Sequence, residues 1–184
     1  DHRDLHSFPT RRSSDLDGVS GLFNKSYFQI RLAQEISRAD RHKTIFSILM
    51  ANIDDCRDYI RICGMEQYNT CIRKIGHFLR ETSRGSDVLA RYGMGSFIML
   101  LTSTSTEDAQ VVARRLASFV QGYPFTDIEH LKQGKLTVSI GTVCYDFIGP
   151  CVAERMIFEA QNLIREAVKA GGGKIKVYGL NSTK

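Results

Sequence analysis

Apolar positions change period several times along this chain, and each change marks an element. Phe28, Leu32, Ile36 and Ala39 recur at helical spacing, which predicts an amphipathic helix capped by Asn24 and running to about Arg41. Thr44 to Ile53 is nearly continuous in Ile, Phe, Leu and Met, as a central buried strand requires. It ends in Asn52-Ile53-Asp54-Asp55, and oxygens at a strand's carboxyl end are where α/β folds often place metal or phosphate chemistry. A helical stretch interrupted near Gly64 leads into a longer helix from about Glu66 to Ser83, with Cys71, Ile75, Phe78, Leu79 and Thr82 on one face.

Two short strands, Val88 to Arg91 and Phe97 to Leu101, are joined across Gly93-Met94-Gly95-Ser96, a hairpin signal. Thr104-Ser105-Thr106-Glu107 offers a capping box, and Ala109, Val112, Leu116 and Val120 carry the helix behind it. Gly122 to Gly134 reads as loop, and Leu136 to Val143 alternates like a strand. A last amphipathic helix carries Val152, Met156, Ala160, Leu163 and Ala167 and stops at Gly171-Gly172-Gly173, before a short strand from Lys174 to Tyr178. Hairpins mixed with crossover helices imply the α+β class, an antiparallel-containing sheet backed by helices. Residues 1–16 show no period and read as a disordered lead-in, or a scar that is not native protein; 17–179 form the domain and 180–184 a tail.

Composition narrows the function. A net charge of +5 favours anionic ligands such as nucleotides, yet no dense Lys/Arg block of a nucleic-acid tail is present. No apolar run reaches membrane-span length and no signal peptide is visible. Five Cys without a Cys-x-x-Cys pair point to reduced thiols in the cytoplasm, and five scattered His argue against zinc. Arg84 and Asp87 stand just ahead of the glycine turn. Such a pair can fork onto phosphate and accept from guanine N–H groups, or simply close a helix as a solvated ion pair.

From Asp17 to Tyr178 the chain resembles a GGDEF domain, the diguanylate cyclase fold related to nucleotidyl cyclases and polymerase palms. Three stretches carry the likeness: Asp17-Gly18-Val19-Ser20-Gly21-Leu22-Phe23-Asn24-Lys25, Arg91-Tyr92-Gly93-Met94-Gly95-Ser96-Phe97, and Thr137-Val138-Ser139-Ile140-Gly141. They are similar to the family's Asp-x-Leu-Thr-Gly-Leu-x-Asn-Arg, Arg-Tyr-Gly-Gly-Asp-Glu-Phe and Thr-Val-Ser-Ile-Gly motifs. The resemblance implies a palm-like, mainly antiparallel mixed sheet flanked by helices. It also implies condensation of two GTP into cyclic di-GMP by divalent metals between carboxylates.

Here the two acidic signature positions are Gly95 and Ser96, and the strand-end metal Asp corresponds to Asn52, a neutral ligand. The family's guanine-reading Asn and its partner Asp fall on Ile60 and Asn69, and its phosphate Lys on Val168. Asp54 and Asp55 read as strand-end surface acids. The expectation is therefore a domain that is not an enzyme, with no catalytic residue, metal or cofactor. Its inhibitory-type product site, by contrast, matches: Arg84-Gly85-Ser86-Asp87 stands five residues before Gly93, Arg115 takes the place of a further Arg, and Arg38 that of an Arg reaching a neighbour's ligand. Arg84 and Arg115 would offer planar forks and Asp87 an acceptor for guanine.

The leading expectation is thus a cyclic di-GMP receptor, as a homodimer or docked on an adjacent domain, without nucleic-acid or membrane contacts. A ligand-free dimerisation or regulatory domain is the second reading, and weak residual cyclase activity using Asn52 with Asp54 the third.

Overall fold

The computed structural model describes residues 12–146 and 152–179. Its elements are α1 (Lys25–His42), β1 (Phe46–Ile53), α2 (Cys56–Thr82), β2 (Val88–Arg91), β3 (Ser96–Thr102), α3 (Thr106–Gly122), β4 (Val138–Tyr145), α4 (Ala153–Lys169) and β5 (Ile175–Gly179), with short 3-10 turns at Ser13–Asp15 and Ile128–His130. The sheet order is β2-β3-β1-β4-β5. Every pairing is antiparallel except β4 with β5, which the α4 crossover makes parallel. This is the α+β architecture that the alternation of periods predicts.

Helices cover both faces of the sheet. Leu49, Ala51 and Ile53 of β1 join α2 and α3 in one core, with Tyr68, Ile72, Ile75 and Leu116 fully buried. Phe46, Ile48 and Met50 point the other way and pack with Phe28 and Leu32 of α1 and Met156 and Ala160 of α4. Double coverage explains why β4, read as alternating, is buried at all eight positions. No helix among the described residues is long and apolar enough to cross a membrane.

Local chemistry sets the ends. Asn24 caps α1 by accepting from the Tyr27 N–H at 2.9 Å, as its residue type predicts. At α3 the cap is Ser105, accepting from the Asp108 N–H at 3.2 Å, one residue beyond the expected Thr104 box. Gly64 breaks α2 with φ +80° and ψ 167°, values that a side chain would strain.

One expectation is corrected at the amino end. Residues 1–11 lie outside the described residues, as do 180–184, but Arg12–Leu16 is ordered rather than a disordered lead-in. It folds as a 3-10 turn, and Leu16 bridges Phe23. The Asn24 side-chain amide donates to the Ser14 carbonyl at 2.7 Å, so the capping residue of α1 also fastens the segment before it. Phe23 in turn donates to Leu89 and accepts from the Arg91 N–H, which covers the free edge of β2.

Helix α4 and strand β4 approach closely at Gly141. A Cβ there would stand 2.4 Å from the Ala160 carbonyl oxygen and 2.9 Å from the Leu163 Cβ. Gly141→Ala is therefore expected to lift α4 off β4 and lower stability by about 1–3 kcal/mol, read as a fall in thermal midpoint. An unchanged midpoint would show that α4 shifts freely.

Candidate functional site

Two cavities flank the sheet ends, and each holds residues singled out in the sequence. The larger, about 770 Å³, opens where β1 ends and is lined by Asn52, Asp54, Asp55, Cys56, Arg57, Asp58, Gly95, Ser96, Lys132 and Val168, among others. The hairpin reaches it because the Ile53 N–H donates to the Gly95 carbonyl at 2.9 Å. Arg91 clamps the hairpin turn, donating to the carbonyls of Gly93 (3.1 Å) and Met94 (2.7 Å) and to the Tyr68 hydroxyl (3.1 Å). It also pairs with Asp17 at 3.5 Å. Burial alone would raise the Asp17 pKa, but the Ser20 N–H and hydroxyl and the Arg91 charge hold it below its ordinary value.

At the cavity floor the Ser96 hydroxyl donates to the Asn52 Oδ1 at 2.7 Å. The two positions that correspond to metal ligands thus satisfy each other as a neutral pair. Gly95 is confined as well: a Cβ there would meet the Cys56 Sγ at 2.8 Å and Cβ at 3.2 Å. Burial pushes the Cys56 thiol up from its ordinary pKa, so it stands protonated at neutral pH.

Asp54 is not the solvated surface acid that its position suggests. One carboxylate oxygen accepts from the Thr137 hydroxyl (2.7 Å) and the Gly173 N–H (2.8 Å), and the other from the Ser139 hydroxyl (2.7 Å). It braces β1 to β4 and to the glycine loop after α4. The signal was legible in principle, since Thr137 and Ser139 share one face of a strand next to β1. Asp55 is exposed, with φ +48° at the start of α2. With Asn52 paired to Ser96 and Asp54 holding three donors, this donor set as folded does not fit a pair of divalent cations. Among the described residues, the acidic and imidazole groups close enough to share an ion are Asp127, Glu129 and His130, and none of them lines this cavity.

Of the base- and phosphate-reading positions, Val168 lines the cavity, 49% exposed. Ile60 packs against the α2–α3 core, which explains an apolar residue there without reference to a ligand.

The second cavity, about 240 Å³, lies at the other end of α2 and is lined by Leu16, Gly21, Phe23, Arg80, Arg84 and Asp87, among others. Asp87 turns back on the chain: its carboxylate accepts from the Arg84 N–H at 3.0 Å and the Thr102 N–H at 3.3 Å. The Arg84 side chain is exposed and makes no ion pair in the set found among the described residues. So the two are not a solvated side-chain ion pair; the carboxylate shapes the turn and leaves the guanidinium to solvent.

Arg115 does not line this cavity. It is exposed on α3, which the Phe78–Phe119 ring stack, with centroids 4.0 Å apart, joins to α2. Arg115 lies about one turn before Phe119 on α3. Arg38 is elsewhere. It lies on α1, across the sheet, paired with the buried Glu35 at 2.8 Å.

The model of the diguanylate cyclase GGDEF domain matches residues 14–174. This chain belongs to the GGDEF family. The probable diguanylate cyclase DgcT of Escherichia coli K12 is 27% identical over 170 residues, which is 91% of this chain and 36% of that protein. Diguanylate cyclase DosC of the same strain is 24% identical over 176 residues, 96% of this chain and 38% of that protein. The chain therefore spans less than two fifths of these relatives.

Solved GGDEF domains share the fold. That of FimX from Pseudomonas aeruginosa superposes with a TM-score of 0.79 at 23% identity, covering 89% of this chain and 99% of that one. That of DgcB from Caulobacter crescentus, in complex with c-di-GMP, gives 0.81 at 18% identity, covering 93% and 97%.

These findings correct the expectation that the domain is not an enzyme. The matched family model is a diguanylate cyclase, and the curated relatives are named as such. Asp54, Asp55 and Asp58 still line the cavity beside the replaced positions 95 and 96. What the replacements change is charge at the floor. Asn52→Asp/Ser96→Glu is expected to raise conversion of GTP to cyclic di-GMP with Mg²⁺ by about a hundredfold over the parent, the scale of one strong electrostatic group. Equal rates in a chromatographic product assay would show that floor charge does not limit the reaction.

Proposed function

We propose that this GGDEF domain binds cyclic di-GMP at the Arg84–Asp87 turn and transmits the binding by favouring one arrangement of two copies. The carrying observation is a carboxylate held in place by two backbone N–H groups, beside a cavity whose neighbouring guanidinium is uncommitted. Such preorganisation reduces the ordering cost of binding. Arg84 forks onto a guanine edge or a ring phosphate, and Asp87 accepts from guanine N–H groups through lone pairs its backbone donors leave open. Arg115 closes on the ligand from α3. Arg38, on the opposite sheet face, serves a ligand held by another copy, which makes the homodimer part of the proposal. The four described cysteines are free thiols, in keeping with a cytoplasmic setting.

Arg84→Ala is expected to weaken cyclic di-GMP binding by about 1–3 kcal/mol, or roughly fivefold to 150-fold, with an unchanged melting temperature. Isothermal titration calorimetry measures this. Unaltered affinity in Arg84→Ala and in Arg115→Ala would sink the assignment.

Acidity offers an independent check. Burial, the largest influence, raises the Asp87 pKa above 3.8 against the pull of the Arg84 and Thr102 N–H groups and the Arg84 charge. Guanine N–H recognition requires the carboxylate. Affinity is therefore full near neutral pH and declines as pH falls through the raised pKa, earlier than an ordinary Asp would titrate. Titrations from about pH 7 to about pH 4 test this; a flat profile would remove Asp87 from the ligand.

A further inference from the structure

Past its break at Gly64, α2 carries Arg73, Lys74, His77 and Arg80 on the side away from the core residues Cys71, Ile72, Ile75 and Leu79. All four basic side chains are exposed, and they span about 10 Å of helix. None belongs to the ion pairs found among the described residues. Two of them are positioned: the Arg80 Nη1 donates to the Gly21 carbonyl at 3.0 Å, and the Arg73 Nη2 to the Thr70 hydroxyl at 2.8 Å. Each guanidinium keeps its remaining donors.

These groups face a built concavity. About 410 Å³ lies between them and the turn Gly18–Gly21, lined by that turn, Thr70, Arg73, Lys74, His77 and Arg80, with no carboxylate in the wall. The turn is fixed against the helix, since a Cβ at Gly76 would stand 2.7 Å from the Ser20 carbonyl oxygen. Gly21 has φ +66°, and a Cβ there would meet the Arg80 Nη1 at 2.7 Å, so glycine lets the guanidinium lie close over the turn. The nearest acid along the helix, Glu81, is exposed and outside the wall. Arg80 and Gly21 also line the Arg84 cavity, so positive charge continues past the helix end.

We propose that this stripe and the Gly18–Gly21 turn form a site for a linear chain of phosphates. Arg73, Lys74 and Arg80 in a row, with the His77 imidazole beside them as a further donor and no Phe, Tyr or Trp in the wall, can neutralise consecutive phosphates but offer no large aromatic platform for a base. A single phosphate would engage only part of the row. The chain is either free inorganic polyphosphate or the triphosphate tail of a nucleotide. The site is separate from the cyclic di-GMP proposal, because Arg73, Lys74 and His77 do not line the Arg84 cavity.

The test is calorimetric titration of the full chain with short inorganic polyphosphate, ATP without metal, and inorganic phosphate, between about 50 and 200 mM salt. Polyphosphate is expected to bind, more weakly as salt rises. Arg73→Gln/Lys74→Gln/His77→Gln is expected to lose about tenfold or more in affinity, while the charge-matched Arg41→Gln/His42→Gln/Lys43→Gln, at exposed positions on α1 and its cap, retains it. ATP binding as tight as polyphosphate identifies a triphosphate tail, and much weaker ATP binding a longer inorganic chain. Three results overturn the proposal: no polyphosphate binding at the lowest salt, equal losses in the two triple variants, or inorganic phosphate binding as tightly as the chain. Should the first triple variant melt early, Lys74→Gln and His77→Gln read separately replace it, and undiminished affinity in both counts equally against the site. Cyclic di-GMP affinity, measured on the same samples, reports on the Arg84 turn alone.

Discussion

Asp54 is the fastening on which this structure depends. β1 is central, buried on both faces and paired on both edges, so its carboxyl end fixes where the hairpin, β4 and the loop after α4 can meet. One carboxylate collects the Thr137 and Ser139 hydroxyls and the Gly173 N–H there. Hydrogen bonds to a charged acceptor are worth about 1.5–3 kcal/mol each, so three of them outweigh the cost of drawing Asp54 partly out of water. Gly172 lets the loop come this close, since a Cβ there would touch the carboxylate at 3.2 Å. The same bonds that hold the sheet end also commit the oxygens that another chemistry would need.

That commitment sets the character of the larger cavity. Its acids are either engaged, as Asp54 is, or exposed, as Asp55 is, and its floor is the neutral Asn52–Ser96 pair. The far end of α2 is the reverse. Arg73, Arg80 and Arg84 make no ion pair in the set found among the described residues, and the carboxylate of the turn, Asp87, is satisfied by backbone donors. A net charge of +5 is therefore unevenly placed, with basic groups gathered along the second half of α2 opposite the Gly18–Gly21 turn.

Much of the fold was legible because its signals are local. The periods of Phe28–Ala39 and Val152–Ala167 are those of helices with one buried face, and Gly64 and Gly93–Ser96 broke their elements where glycine predicts. Where the reading failed, the decisive partner was remote in sequence. Asp54 looked like a surface acid because Thr137 and Ser139 lie more than eighty residues away. Arg12–Leu16 looked disordered because its order comes from Asn24 and Phe23, not from any period of its own. Motif spacing brought Arg84 and Asp87 correctly to one turn. It could not reveal that Asp87 bonds backbone rather than the Arg84 side chain, nor that Arg38 is across the sheet.

The basic stripe is silent in the sequence for a related reason. Arg73, Lys74, His77 and Arg80 follow the helical period of any solvated face, and only the Gly18–Gly21 turn, more than fifty residues earlier, makes a concavity of it. α2 thereby links both cavities: Cys56, Arg57 and Asp58 line one, and Arg80, Ser83 and Arg84 the other. An anion at the basic end can influence the hairpin end only if it binds two arrangements of this helix unequally. Most of the helix resists such a change, because Tyr68, Cys71, Ile72, Ile75 and Leu79 are packed in the core. The break at Gly64 lies between that packed segment and the cavity residues, in backbone that only glycine adopts without strain. Any coupling along α2 must therefore act through the break at Gly64, and it works against Tyr59, which the same core buries in the first half of the helix.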